Sequence, residues 1–220
     1  MQQANKGVHV RVIGSGLSPF VQRVMLAVHH KRIELELEPP AGGGSRSAAH
    51  LAHNPMGKVP VLVDGDLVLP ESEVIVAYLE DIKPEPSLFP GPPAARARAR
   101  LLARVLDVYG PPSFRPFLDN ESAGIEQTLS RIRTCLGHLE QLWRPSGGPQ
   151  ATGEGFSAAD CALIPFFTIF QTLPAPFRVM ELVSEHAQVA TWWQLAQATE
   201  PAELARTTLR EAITALFAQK

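Results

Sequence analysis

The sequence has 220 residues, of which 45% are apolar and 19% are charged, and a net charge of -2. This composition is typical of a soluble globular protein with a sizeable core, and the charge gives no reason to expect nucleic acid or an anionic membrane as a partner. Its two cysteines have no metal-like or C-x-x-C spacing, which argues against a disulfide framework or structural zinc. The sequence shows no secretory leader and no apolar run of about 20 residues, so we expect a cytoplasmic protein.

The first elements predict a βαβ unit. Val8–Ile13 alternates apolar and polar residues and is typical of a strand, and Pro19 suits the first turn of the helix that follows. That helix has an apolar stripe at i, i+3, i+4 and i+7, starting from Val21. Ile33–Glu38 alternates strictly and predicts a second strand, parallel to the first.

The next segment completes a thioredoxin-like layout. A short helix is expected over Arg46–His53, and Val61–Val63 and Leu67–Leu69 flank the turn sequence Asp64-Gly65-Asp66, which predicts a hairpin. Ser72 is expected to cap the helix that follows. The predicted order is therefore βαβ-α-ββ-α.

The composition changes after the fourth strand and its helix. Residues 83–93 hold five prolines and a glycine and are interpreted as a linker between an α/β domain over 1–82 and a second domain over 94–220. The second domain shows helical periodicity throughout and no hairpin signal, so it is predicted to be all-α. Gly110-Pro111-Pro112 is expected to end its first helix.

Val59-Pro60 opens the third strand and is the element around which the candidate site is organised. Proline lacks a backbone N–H and restricts the preceding residue to extended geometry. If this bond is cis, the N–H and C=O of Val59 point outward and can receive an extended peptide as a neighbouring strand would. An ordinary trans proline at the first residue of a strand is the alternative.

Two serines lie at predicted helix starts, where unsatisfied N–H groups favour an anion. Ser18 precedes Pro19, and either a plain N-cap or a ligand-binding hydroxyl explains it. Glu71-Ser72 offers a carboxylate for an ammonium group and a hydroxyl for a carboxylate, which together would hold a free amino acid. A cap beside an acidic residue is the alternative for this pair.

Phe156-Ser157-Ala158-Ala159-Asp160 has the pattern of a capped helix start, with Ser157 at the N-cap and Asp160 at N3. Its interpretation is structural.

Taken together, these motifs resemble the cytosolic glutathione transferases of the serine type, tau and phi above all, or a bacterial relative. The resemblance covers the whole chain and rests on four motifs in the family's order and spacing: Ser18-Pro19-Phe20, Asn54-Pro55 with Gly57–Leu62, Glu71-Ser72, and Phe156–Asp160. It implies a thioredoxin-like domain followed by an all-helical one, with glutathione as co-substrate and no metal.

The resemblance also implies roles for individual residues. Ser18 would be catalytic by donating a hydrogen bond to the glutathione sulfur, and Ser15 is a competing candidate in the same loop. The residues implied to bind glutathione are Phe20, Lys58, Val59, Pro60, Glu71 and Ser72. The residues proposed for a hydrophobic substrate are Tyr109, Phe114 and Phe117, which core packing would explain equally well.

The expected reaction is addition of the glutathione thiolate to a hydrophobic electrophile, in a detoxifying transferase that forms a homodimer. Position 18 is a serine and no cysteine is near it, which favours thiolate addition over mixed-disulfide redox chemistry. The alternatives are a glutathione-dependent isomerase, ether-cleaving lyase or dehalogenase, and a non-catalytic binding or regulatory protein that keeps the fold.

Overall fold

A four-stranded mixed sheet forms the centre of the N-terminal part of the chain. The computed structural model describes residues 9–144, 146–174 and 177–218. The strands are β1 His9–Ile13, β2 Glu34–Glu38, β3 Val61–Asp64 and β4 Leu67–Pro70, in the order β2-β1-β3-β4. β1 pairs in parallel with β2, and β3 pairs antiparallel with both β1 and β4. The predicted parallel pair and hairpin are confirmed, and the predicted first residue of β1, Val8, lies outside the described residues.

Three helices accompany the sheet, as the apolar periodicity predicts. They are α1 Pro19–His30, α2 Ala48–Leu51 and α3 Ser72–Ile82, and a single 3₁₀ turn at Ala41–Gly43 precedes α2. α1 packs against α3 and β2, and α3 packs against β4. Val21, Val24 and Val28 of the predicted stripe are buried, so one face of α1 supplies core side chains.

A buried lysine ties the segment after α3 to the sheet domain. The Lys31 side chain is fully buried, and its ammonium lies 2.6 Å from a carboxylate oxygen of Glu80. The same ammonium donates to the backbone carbonyls of Lys83, at 2.5 Å, and Pro86, at 3.1 Å. A buried charge needs such partners, and here they fix the chain just beyond the helix.

The remainder is helical. Its helices are α4 Pro93–Tyr109, α5 Arg115–Asp119, α6 Ser122–Leu142, α7 Ala158–Thr172, α8 Val179–Ser184, α9 Ala187–Ala196 and α10 Glu200–Ala218. α4 ends at Tyr109 with Gly110 as its C-cap, where the Gly-Pro-Pro sequence predicts a helix end. α7 is buried along almost its whole length and packs against α4 and α8. None of the helices within the described ranges is both long enough and apolar enough to cross a membrane.

By its internal contacts the chain divides into two compact units. The first unit runs through Ser87 and also takes in the chain from Thr208 onward, and the second unit is Leu88–Thr207. The junction at Ser87 falls inside the predicted linker 83–93. The last residues of the predicted helical domain, from Thr208, group instead with the sheet.

The start of α7 is held by a buried carboxylate. Both the backbone N–H of Ser157 and its hydroxyl donate to one oxygen of Asp160, at 2.9 and 2.7 Å. The other oxygen accepts from the backbone N–H of Ala151 at 2.7 Å. The predicted capping box is therefore present, and the same carboxylate also holds the loop that precedes the helix.

Burial raises the pKa of the Asp160 carboxyl to about 6, although the hydrogen bonds it accepts pull the pKa downward. Because an unfolded aspartate has a pKa of about 3.9, the folded protein binds this proton more tightly than the unfolded chain does. The stability that this group contributes is thus fully present below the unfolded pKa and is lost as the pH rises through about 6.

We expect Asp160→Asn to lower the free energy of unfolding at neutral pH by about 2–4 kcal/mol. The two carboxylate oxygens accept from the backbone N–H groups of Ala151 and Ser157. In either orientation the asparagine amide points its NH₂ group at one of these donors, which then loses its acceptor. The measurement is urea unfolding at a series of pH values. The deficit should grow as the pH falls from about 6 to 4, because only the wild-type protein gains from proton binding in that window.

The control is Asp119→Asn, which removes an exposed aspartate paired with Arg115 on the surface of α5. It should change the free energy of unfolding by less than about 0.5 kcal/mol. Equal effects of the two substitutions would contradict the role assigned to Asp160.

Candidate functional site

The register of the sheet brings three predicted segments to one end. Ile13, the last residue of β1, pairs with Val61, the first residue of β3, and Val61 pairs with Pro70, the last residue of β4. The loop after β1, the residues just before β3 and the residues just after β4 therefore leave the sheet at the same edge. These are the segments that carry Ser18, Val59-Pro60 and Glu71-Ser72.

The Val59–Pro60 bond is cis. In the chain that the structure describes, no backbone hydrogen bond outside the helices and strands uses the N–H or C=O of Val59. Val59 is half-buried, and it precedes a strand whose own residues are paired on both sides. The predicted cis bond is present, and the N–H and C=O of Val59 have no backbone partner among the described residues; pairing with an extended ligand stays a prediction.

Two buried side chains hold the loop before this bond. The backbone carbonyl of Lys58 accepts hydrogen bonds from His50 Nε2 and Asn54 Nδ2, both at 2.9 Å. Since a carbonyl oxygen only accepts, the proton of the His50 ring lies on Nε2. The Asn54 oxygen accepts from the backbone N–H of Met56 at 3.0 Å, so one amide spans the turn. Both His50 and Asn54 are buried.

Ser18 is the N-cap of α1. Its oxygen accepts from the Val21 N–H at 3.4 Å, and its own N–H donates to the carbonyl of Ser15 at 2.9 Å. Because this oxygen is used as an acceptor, the hydroxyl proton is the group that it can offer to a ligand. Ser15 lies in the same turn, and its oxygen accepts from the Leu17 N–H at 3.3 Å. Both hydroxyl groups are partly exposed, but only Ser18 lies at the helix N-terminus.

The structure corrects the predicted role of Ser72 as the N-cap. Glu71 occupies the cap position of α3 without a side-chain cap bond, and Ser72 is the first helical residue. Glu71 has φ 73° and ψ 112°, a strained conformation for a residue with a side chain. This backbone bend leaves the Glu71 side chain exposed, while the buried Ser72 hydroxyl accepts from Arg23 Nη1 at 3.1 Å.

Of the remaining residues implied to bind glutathione, Pro60 is buried, and Lys58 and Phe20 lie nearer the surface. The Lys58 side chain is exposed, and the ring of Phe20 is half-buried on the first turn of α1, with the Arg23 guanidinium carbon 5.8 Å from its centre. Arg23 itself is almost fully buried.

The three residues proposed for a hydrophobic substrate all lie in the second unit. Phe114 and Phe117 are each only 9% exposed and belong to an aromatic cluster with Phe166, Phe170 and Phe177. Tyr109, at the end of α4, is 45% exposed and stacks edge-on against His138. Of the three, Tyr109 has the ring that a ligand can reach without displacing core side chains.

The cysteines are unsuited to nucleophilic chemistry. Cys135 and Cys161 are both buried, and burial raises the pKa of the Cys135 thiol to about 12, with a smaller contribution from Asp107. At neutral pH this thiol is protonated and unreactive. Among the described residues no group of His, Cys, Asp and Glu side chains is arranged to hold a metal ion.

Sequence reasoning missed three residues that shape the site: Arg23, His50 and Gln22. The Gln22 side chain is buried on α1 and donates to the carbonyl of Gly16 at 2.6 Å. A polar residue on the apolar side of a predicted helix, or beside a predicted turn, is a signal in the sequence, but its partner lies far along the chain or within a loop. Only the folded structure identifies those partners.

The sheet and its helices have the layout of a thioredoxin-like domain, and comparison with known proteins identifies the family. Residues 12–87 match the glutathione S-transferase N-terminal domain, and residues 122–195 match the glutathione S-transferase C-terminal domain. Glutathione S-transferase 4 of Zea mays is 35% identical over 205 residues, which cover 84% of this chain and 86% of that protein. The chain belongs to the glutathione S-transferase family.

Solved structures of the family share the fold. Glutathione S-transferase I from maize, in complex with an atrazine glutathione conjugate, has a TM-score of 0.70 at 20% identity and covers 91% of this chain and 98% of its own. A bacterial maleyl pyruvate isomerase of the zeta class has a TM-score of 0.76 at 22% identity, with 90% and 97% covered. At these identities the similarity confirms the predicted fold class alone.

We expect Asn54→Ala to lower the free energy of unfolding by about 1–3 kcal/mol, because the Met56 N–H and the Lys58 carbonyl each lose a partner in the turn. Denaturant unfolding measures the change. The control is Lys58→Ala, which removes an exposed side chain but keeps the bonded carbonyl, and should cost less than about 0.5 kcal/mol. A loss for Lys58→Ala as large as that for Asn54→Ala would contradict this account of the loop.

Proposed function

We propose that this protein is a glutathione transferase that binds glutathione at one end of the sheet, ionises its thiol and adds the thiolate to a hydrophobic electrophile. The observation that carries the proposal is the pairing of Ile13 with Val61 and of Val61 with Pro70. At this end of the sheet lie the hydroxyl of Ser18, the backbone groups of Val59 and the Glu71-Ser72 pair. In the proposal they bind, in that order, the thiol, the cysteinyl backbone and the γ-glutamyl amino-acid end of glutathione.

The peptide edge at Val59 pairs with the cysteinyl unit of glutathione. Glu71 binds the ammonium group of the γ-glutamyl end, and Ser72 with the N-terminus of α3 binds its carboxylate. The exposed Lys58 reaches the glycyl carboxylate, and Phe20 and Pro60 contact the tripeptide. The Arg23 bond to Ser72 supports this assignment, because it fixes the serine oxygen and places a buried positive charge behind the carboxylate subsite.

Ser18 activates the thiol in this proposal. A free thiol with a pKa of about 8.5 is only a few per cent ionised at neutral pH, and lowering this pKa by about 2 units requires roughly 2.7 kcal/mol of preference for the thiolate. A hydrogen bond to a charged group supplies about 1.5–3 kcal/mol, and a helix N-terminus adds about 0.3–1 kcal/mol. One hydroxyl at the start of α1 is therefore sufficient.

The reaction forms a bond between carbon and the glutathione sulfur. The thiol proton leaves to solvent, and the sulfur electron pair either displaces a leaving group or adds to an activated double bond. Both cysteines of the protein are buried, so the proposal needs no protein thiol. Of the three residues proposed to contact the electrophile, Tyr109 is retained because its ring is exposed, whereas Phe114 and Phe117 are buried in the aromatic cluster.

The proposal includes a cytoplasmic homodimer with a role in detoxification. Each unit exposes apolar side chains of the kind that a second copy would cover, such as Val74 on α3 in the first unit and Leu101 on α4 in the second. An isomerase, lyase or dehalogenase would use the same thiolate, so these alternatives differ in substrate and not in the glutathione site.

Turnover with a panel of electrophiles tests the activity. The purified protein is mixed with glutathione and, in turn, an aryl halide, an alkyl halide and an activated alkene, and thioether formation is followed by mass spectrometry. Accelerated thioether formation with at least one class is expected. Tight glutathione binding without acceleration for any class would instead indicate a non-catalytic binding protein.

Ser18→Ala should raise the pKa of the bound thiol by more than about one unit, because the thiolate loses its hydrogen bond. The glutathione affinity at about pH 5.5, where the bound thiol is protonated in both proteins, should stay within about twofold. The pH dependence of kcat/KM measures the pKa, and calorimetry measures the affinity. The matched variant Ser15→Ala removes the neighbouring hydroxyl and should leave the pH profile in place. The reverse pattern would transfer the role to Ser15.

Glu71→Ala should weaken glutathione binding by about tenfold or more, since the ammonium group loses a charged partner. Calorimetric titration measures this change. Asp66→Ala removes a similar charge from the hairpin turn at the opposite end of the sheet and serves as the control, which should bind glutathione as the wild-type protein does. Unaltered affinity of Glu71→Ala would remove this residue from the site.

A further inference from the structure

The loop between β1 and α1 carries both candidate serines and is held from the side by the last helix. A side-chain Cβ built on Gly16 would lie 2.7 Å from Cγ2 of Thr208, 3.1 Å from the Thr208 carbonyl and 3.3 Å from Cβ of Ala212. These residues belong to the part of α10 that groups with the sheet in the first unit. The backbone of Gly16 is therefore in direct contact with α10.

A glycine is needed at position 16 because there is no room for a side chain, and not because the backbone there adopts a conformation that only glycine favours. Its φ lies outside the left-handed region, in contrast to Gly57 and Gly65, which have φ of 62° and 56°. An alanine can adopt the Gly16 conformation, but its methyl group would be closer to Thr208 than packed carbon atoms approach. An added methyl must displace either the loop or the helix.

A displacement of Gly16 acts directly on Ser18. The carbonyl of Ser15 accepts from the Ser18 N–H at 2.9 Å, so Gly16 lies inside a tight turn closed by these two residues. The carbonyl of Ser18 in turn accepts from the Gln22 N–H at 3.0 Å, as part of the first turn of α1. The position of the Ser18 hydroxyl thus follows the position of the turn.

Gln22 provides a second restraint on the same residue. Its buried amide nitrogen donates to the Gly16 carbonyl at 2.6 Å. Its amide oxygen is also buried and has no hydrogen-bond partner within the described part of the chain. A buried acceptor without a partner lowers the stability of the fold. We therefore attribute to the Gln22 side chain the role of fixing the Gly16 carbonyl, rather than that of stabilising the core.

We propose that Gly16 is a positioning residue for thiol activation, clamped between the Gln22 amide on one side and Thr208 of α10 on the other. The clamp sets the distance from the Ser18 hydroxyl to the glutathione sulfur. This inference rests on the proposed function, because it assumes that glutathione binds and that Ser18 or Ser15 contacts its thiol. Through its contact with the Gly16 backbone, α10 would then influence catalysis without itself touching glutathione.

The test compares Gly16→Ala with the double variant Gly16→Ala/Thr208→Ser. Serine lacks the Cγ2 methyl that an alanine at 16 would strike, so the second substitution opens space at that point. The pKa of the bound thiol is read from thiolate absorbance across pH, and KM and kcat are measured at neutral pH.

Gly16→Ala should raise the thiol pKa by about one unit and lower kcat about threefold at neutral pH, where the thiolate fraction falls by that factor, with the KM for glutathione within about threefold. The affinity is retained because Val59, Glu71 and Ser72 lie on other segments. The double variant should recover most of the kcat and of the pKa. A normal thiol pKa in Gly16→Ala, or a defect that Thr208→Ser does not relieve, would overturn the proposal.

Two further variants separate positioning from folding. Gly44→Ala lies in a loop where an added Cβ meets nothing within 4 Å, and it should behave as wild type. Gln22→Met keeps the side-chain volume and removes both the donor to Gly16 and the unpartnered oxygen, so the unfolding midpoint should change little while the thiol pKa rises. If Gly16→Ala fails to fold, Gln22→Met tests the positioning role of Gly16 in its place. An unchanged thiol pKa in Gln22→Met would contradict that role.

The failure of the proposed function would look different. If the wild-type protein bound no glutathione, or bound it as a neutral thiol, the function would be wrong before any variant was measured. If the wild-type protein formed thiolate and the variants at Gly16 and Gln22 did so equally well, only the positioning role would be wrong.

Discussion

The structure depends most on the pairing of β3 with β1 and β4, because this register decides which loops meet. Neighbouring residues of a strand point to opposite faces of the sheet, and the adjacent Val61 and Leu62 are both fully buried. β3 is therefore covered on both faces, and its pairing with β1 on one side and β4 on the other sets its register. With Val61 opposite Ile13 and Pro70, three segments far apart in sequence end at one edge of the sheet.

Each of those segments is then held by a buried polar side chain. His50 and Asn54 hold the carbonyl of Lys58, Arg23 holds the hydroxyl of Ser72, and Gln22 holds the carbonyl of Gly16. Burying such groups costs stability unless they are hydrogen-bonded, and here the bonds are directed at loops and not at other core side chains. These bonds fix the three segments without any ligand, and in the proposed function this order lowers the entropy cost of binding glutathione.

The sequence predicts the elements well and the contacts poorly. Apolar periodicity and turn residues locate the four strands, and the motif around Val59-Pro60 and the capping box at Ser157 are visible as local patterns. The sequence predicts Ser72 as the N-cap of α3, but in the structure Glu71 takes the cap position in a strained conformation. Ser72 is the first helical residue, and its hydroxyl accepts a hydrogen bond from Arg23. The partners of Arg23 and the return of α10 to the first unit are long-range contacts, and no local pattern of residues encodes them.

The most direct test of the account is titration of the wild-type protein with glutathione in a calorimeter, together with ultraviolet difference spectra of the complex across pH. The account predicts saturable binding with thiolate absorbance that is already present near neutral pH, well below the ordinary thiol pKa of about 8.5. Binding with the thiol still protonated at neutral pH would contradict the role given to the helix-capping serine. The absence of binding would contradict the glutathione site itself.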